Sequence, residues 1–284
     1  VKPSKELSIG LIQVLLSRPP RLEEVLEYAT KGAELTAEYL TRLPGFRLHL
    51  INLSQSKSYE EVDRTLNEAL SAELHLLEDF LPENYLGFLK LFLEFYQMEY
   101  IVLSLSGAPG VVGSPSESSL VKLTGVSMKS LAAEYSSCAP RDMECALMRF
   151  LERVREAYIK LREYESRALD AIKVLVAVRY FNYVKNSELL GLKLGRFEDL
   201  LARLGINPVV EIPLRRVLER LRGLSRAELT RYTVHEAALT YPLVKELLTY
   251  SGSLADILTL YLVNRYYELK VLRYSLLPRS LRRW

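Results

Sequence analysis

Residues 256–277 read DILTLYLVNRYYELKVLRYSLL, a stretch with neither Gly nor Pro in which Ile257, Leu260, Tyr261, Val263, Tyr267, Val271, Leu272 and Tyr274 recur at three- and four-residue steps. That spacing predicts one long, largely buried helix. Its few charges come late, with Glu268, Lys270 and Arg273 in the C-terminal half, where helical geometry brings Glu268 within one or two turns of Arg273. An internal ion pair is the simplest use of them.

A similar cadence occurs twice earlier, in EFYQMEYIVLSLSG from Glu94 and in RYFNYVKNSELLGLKLG from Arg179. Setting Glu99, Asn186 and Glu268 in one column aligns a polar residue preceded by aromatics and followed by an apolar run. The expectation is an all-α protein built as three pseudo-repeated helical units, 1–107, 120–195 and 196–284, the last carrying the long C-terminal helix. Composition agrees with that class. In 284 residues, 49% hydrophobic side chains suffice for a sizeable core, and only 13 Gly and 12 Pro favour helix over sheet.

Cys138 and Cys145 are the two cysteines, and whether they meet is left open by their spacing; so small a number favours a reducing compartment. The opening VKPSKELSIGLIQVLLSRPP has no small-residue cleavage site and reads as a helix. Because residue 1 is Val, a native start upstream of it is an expectation. The most apolar stretch, LGFLKLFLEFYQMEYIVLSL from Leu86, carries Lys90, Glu94 and Glu99, which would be costly in hydrocarbon. A cytoplasmic body without a membrane span is therefore expected, one that can still sit against a membrane complex.

The net charge of +3 conceals a gradient. Residues 1–100 hold 10 Lys and Arg against 16 Asp and Glu, whereas residues 201–284 hold 14 against 7. Such polarity suits a protein placed between unlike partners, and it equally suits a solvated surface. Along the chain, residues 20–40 form an amphipathic pattern behind Pro20; Ser58 and Glu61 have capping-box spacing; and GAPGVVGSPSESS at 107–119 marks a connector. From Pro140 the chain turns strongly helical. Breaks are expected at Gly205, Pro208, Pro213, Gly223 and Pro242, with a second capping box at Ser225 and Glu228.

Motifs for chemistry are few. Gly107, Gly110 and Gly113 fit neither a dinucleotide fingerprint nor a P-loop, and no Gly-Lys-Ser/Thr follows. His49, His75 and His235 are scattered, and His235-Glu236 has no second His four residues on. No catalytic residue, cofactor-binding residue or metal ligand is assigned. Arg215, Arg216, Arg220, Arg222, Arg226 and Arg231 crowd one span, yet helical geometry scatters them over several faces, so nucleic-acid binding is not expected. An enzyme or ligand-binding helical protein whose site converges only in the fold is the competing class.

The segment LADILTLYLVNRYYELKVLRYSLLP, 254–278, resembles the late helix of the C-type central-stalk component of archaeal A-type and bacterial V-type rotary ATPases, known as the d-type component in the vacuolar enzyme. Tyr261-Leu262 and Glu268 match the start of the family pattern and Leu272-Arg273 its end, while Val271 stands where the family has Asn. The units at Glu94 and Asn186 resemble related helices but lack the Asn and Arg of the pattern, and the family's opening helix is not seen before Pro20. The resemblance implies a noncatalytic, funnel-like helical body without cofactor. Such a body sits on the proteolipid rotor ring of a proton- or sodium-translocating complex and receives the central-stalk subunits. Arg265, Lys270, Arg273, Arg279, Arg282 and Arg283 are the candidate partner-binding residues on this basis.

Without a P-loop or dinucleotide turn, the purified chain should give no saturable heat on calorimetric titration with ATP and Mg²⁺; one-to-one binding at about micromolar affinity would contradict this.

Overall fold

The computed structural model describes residues 4–18, 21–30, 58–107, 123–225, 231–249 and 251–276. Among these the regular structure is helical: α1 (Lys5–Ser17), α2 (Leu22–Thr30), α3 (Tyr59–Glu78), α4 (Glu83–Tyr96), α5 (Met98–Leu105), α6 (Met128–Glu134), α7 (Met143–Leu161), α8 (Ala168–Leu190), α9 (Phe197–Leu204), α10 (Pro208–Arg222), α11 (Tyr232–Thr249) and α12 (Leu254–Leu276). An isolated bridge between Asp142 and Lys193 is the one β-type pairing among the described residues. The all-α expectation holds.

Local sequence explains where the helices begin. Ser4, Ser58, Ser127 and Asp142 each cap a helix by accepting a hydrogen bond from the backbone N–H three residues on, which supplies a partner for one of the orphan donors of the first turn. Ser253 does the same for α12 through Asp256 N at 3.1 Å. The capping spacing at Ser58 and Glu61 is thus realised, whereas Glu228, the connector from 108 to 119 and residues 31–57 lie outside the described residues. Gly205 ends α9 in the left-handed conformation at φ 55°, a position where a side chain would be strained.

Two expected breaks are absent. Pro213 lies inside α10 and Pro242 inside α11. A proline removes one rung of the helix and crowds the carbonyl four residues back, but α11 has Val234, Ala237, Tyr241, Leu243, Val244 and Leu248 buried, and it packs along α12 and α2. Burial on that scale outweighs one lost hydrogen bond.

The chain divides into two compact units and not into the three consecutive ones expected at 1–107, 120–195 and 196–284. The first joins Val1–Pro82 to Leu214–Trp284, and the second is Glu83–Pro213. In the first, α12 packs against α11, α1, α2 and α3. In the second, α7 packs against α4, α5 and α8, with α9 on α8 and α6 on α5. The division follows which apolar faces meet, and the C-terminal helix finds its partners among the N-terminal helices.

The three columns of the expected repeat are also unlike one another. Glu99 stands in the first turn of the short α5 and Glu268 in the middle of α12, buried at 1% exposure, while Asn186 falls late in α8. Helix α12 is buried almost all round: Leu258, Tyr261, Leu262, Val263, Tyr267, Val271 and Leu272 are core residues, with Ile257, Leu260 and Tyr274 half-buried. A helix enclosed in this way needs protein partners for the polar groups it carries, and the Thr259 hydroxyl is buried without one among the described residues.

Candidate functional site

In the first unit those partners converge on Arg265. Its side chain, 2% exposed, is placed by α12 between α3 and α1. Nε donates to Glu73 Oε2 at 2.8 Å; Nη1 donates to Asn264 Oδ1 at 3.0 Å and to Glu268 Oε2 at 3.1 Å; Nη2 donates to the Leu15 carbonyl at 2.8 Å. Tyr261, one turn back on α12, donates to the same Glu73 Oε2 at 2.8 Å, and Asn264 donates to the Tyr241 hydroxyl of α11 at 2.9 Å. Burial alone would pull the guanidinium down, but Glu268 and Glu73 outweigh it and hold Arg265 above its usual range. One cation therefore ties α12 to α3 and to the C-terminal turn of α1.

Two further cations extend from the same helix. Lys270 Nζ lies 3.2 Å from Glu236 Oε2 on α11 and above the Tyr266 ring. Arg273 donates from Nη2 to Asn67 Oδ1 at 2.8 Å, and its Nε lies 2.6 Å from Asp63 Oδ1 in ion-pair contact without hydrogen-bond alignment. The internal use of Glu268 expected from the sequence is realised, though its partner is Arg265 and not Arg273.

The second unit has comparable centres. Arg179 of α8 is buried; it donates to the Phe95 carbonyl at the end of α4, to Glu99 of α5, and from Nε to the Tyr183 hydroxyl at 2.7 Å, with its guanidinium 4.5 Å above the Phe95 ring. Tyr183 in turn donates to Glu99. The parallel with Arg265 is close: an Arg with a Tyr four residues away on one long helix, a Glu that receives both, and a carbonyl near another helix's C-terminus. The Tyr precedes the Arg in α12 and follows it in α8, so the likeness is one of chemistry and not of register.

A third centre joins α4, α6 and α7. Glu94, at 4% exposure, accepts from the Tyr135 hydroxyl at 2.7 Å and from Arg153 Nη1 at 2.5 Å. Burial pushes the Glu94 carboxyl up, the Tyr135 hydroxyl and Arg153 pull it down, and the balance leaves it above the usual carboxylate range. Burial, aided by Glu94, also drives the Tyr135 phenol up, which keeps it a donor at neutral pH.

Of the six residues expected to meet partners, Arg265 points inward and is fully engaged within the first unit, which corrects the expectation that it faces outward. Lys270 and Arg273 are half-buried and paired on α11 and α3. Arg279, Arg282 and Arg283 lie outside the described residues. Glu73, Arg153 and Arg179 were given no role from the sequence, and Glu94 only a cost in hydrocarbon, although two left a trace. Glu73 continues the apolar step of Val62, Leu66, Ala69, Leu70 and Leu77, and Arg179 is the one charge in VLVAVRYFNYV. Among the described residues no group of three or more His, Cys, Asp or Glu is placed to hold a metal ion, and no helix is long and apolar enough to cross a membrane. No protein-family model matches this chain, and no curated protein and no solved structure matches it.

The arrangement makes cross-braces between helices. Glu73→Ala removes the main acceptor of a buried cation and should cost about 3–5 kcal/mol in denaturant unfolding, since Arg265 keeps its charge in the interior. A loss under about 1 kcal/mol would mean that Arg265 is not held as described.

A second expectation concerns pH. The folded state holds the Glu94 proton more tightly than the unfolded chain does, so this group's stabilising contribution is complete below its ordinary value of 4.5 and is lost as pH rises through the raised value. Relative to Glu94→Gln, the wild-type chain should lose urea stability as pH rises from the ordinary value of 4.5 through the raised one; a flat difference or the opposite slope would refute the raised value.

Proposed function

We propose that this chain is a noncatalytic central-stalk component of a rotary A/V-type ATPase or ATP synthase, coupling the stalk to the membrane rotor ring. The observation that carries the proposal is the resemblance of residues 254–278 to the late helix of the C-type central-stalk family, through Tyr261, Leu262, Glu268, Leu272 and Arg273. Physical features support it. A coupling body must transmit torque without deforming, and buried Arg–Glu–Tyr centres that cross-tie helices resist relative sliding better than apolar contact alone, because each hydrogen bond has a direction.

In this role the body is a helical socket docked peripherally on the cytoplasmic side of the complex. Its partners are a coiled-coil stalk foot and short polar loops of the proteolipid ring, recognised through several spread charge contacts. Lys270 and Arg273 at the margin of α12, with Arg279, Arg282 and Arg283 beyond it, form the proposed basic contact set, and Arg265 serves as its internal brace. Coupling of proton or sodium transport to ATP chemistry then needs no nucleotide or cofactor on this chain.

Pull-downs of the full chain with stalk subunits, and separately with detergent-solubilised ring, at low and raised salt should show retention that weakens as salt rises. Failure to retain either partner at low salt discards the coupling role. Retention unaffected by charge reversal at Arg279, Arg282 and Arg283 discards that contact set alone.

A further inference from the structure

Cys138 and Cys145 form a disulfide with their Cα atoms 5.6 Å apart, joining the segment after α6 to the first turn of α7. Low cysteine number had favoured a reducing compartment, an expectation that a formed disulfide does not support. The bond lies in the middle of a segment held at three points. On one side the Tyr135 hydroxyl reaches Glu94; on the other the Arg141 carbonyl accepts from Lys193 N at 2.8 Å, beside the Asp142–Lys193 bridge. Arg141 sits at φ 63°, a left-handed conformation that a side-chain-bearing residue keeps only when its surroundings hold it. Helix α6 has 7 residues, too few to persist by its own hydrogen bonds.

We propose that this pair is a thiol-exchange site at which a dithiol reductant unlatches the segment joining α6 to α7. The inference is independent of the coupling role. Cys138 is buried and Cys145 half-buried, so the first thiolate attacks Cys145 Sγ. The Cys138–Cys145 bond breaks, a mixed disulfide forms at Cys145, and Cys138 leaves as a thiolate that takes up a proton. The second thiolate of the reductant then attacks its own sulfur in the mixed disulfide and releases Cys145. Two electrons and two protons pass to the pair, and the dithiol becomes a cyclic disulfide.

Position favours the second step. Cys145 lies in the first turn of α7, its N–H capped by Asp142 Oδ1 at 2.9 Å, and the partial positive charge of a helix N-terminus stabilises a departing thiolate there. Once the bond is open, the exposed residues Ser136, Ser137, Ala139 and Pro140 are held by short turn hydrogen bonds, among them Cys138 N to the Tyr135 carbonyl and Asp142 N to the Ala139 carbonyl, and by the two flanking contacts, while α6 loses its nearest covalent tie to α7.

The full-length chain in native buffer is treated with excess dithiothreitol, labelled with iodoacetamide and followed by amide hydrogen exchange with mass detection. Two alkylated cysteines are expected, with exchange over residues 128–141 faster by about tenfold or more while α7 from Ala146 onward is unchanged. Cys138→Ser without reductant should show the same local pattern. The proposal is overturned if the pair stays oxidised until denaturant is added, if reduction leaves exchange over 128–141 unchanged, or if protection is lost together through all of α4–α9, which would make the bond a staple of the whole unit.

Discussion

A guanidinium taken out of water carries a desolvation cost of several kcal/mol, and the first unit depends on how that cost is met at Arg265. Glu73 and Glu268 supply charge, Asn264 and the Leu15 carbonyl supply neutral acceptors, and Tyr261 steadies Glu73 from the other side. These partners come from three helices, so each must be in register before the cation can be accommodated. The same condition that makes the centre expensive to disturb also makes the packing of α1, α3 and α12 specific.

The second unit meets the problem with two smaller centres. Arg179 braces α8 against the end of α4 and the start of α5, while Glu94 links α4 with α6 and α7 through Tyr135 and Arg153. In the first of these the cation is the enclosed group, and in the second the carboxylate is. Glu94 therefore responds to burial by holding its proton more tightly, whereas Arg265, enclosed between two acids, holds its charge. Both units combine apolar helix faces with a few directional ties.

The disulfide lies one turn from the Glu94 centre in sequence and constrains the same α6 to α7 segment. It adds a covalent tie beside the short α6 and the left-handed backbone at Arg141.

Helical class, the extent of α12 and the cap at Ser58 were legible in the sequence, because periodic burial and first-turn donors are properties of neighbouring residues. Internal use of Glu268 was legible for the same reason, being a matter of one turn on one helix. Partners from distant helices were not. That Arg265 faces inward depends on Glu73, 192 positions away, and on a carbonyl of α1. That Pro242 fails to break α11 depends on the burial of that helix against α12 and α2. Whether Cys138 meets Cys145 depends on the turn between two helices. Two units in place of three has the same origin: the sequence determines which faces are apolar, and only tertiary packing decides which of those faces meet.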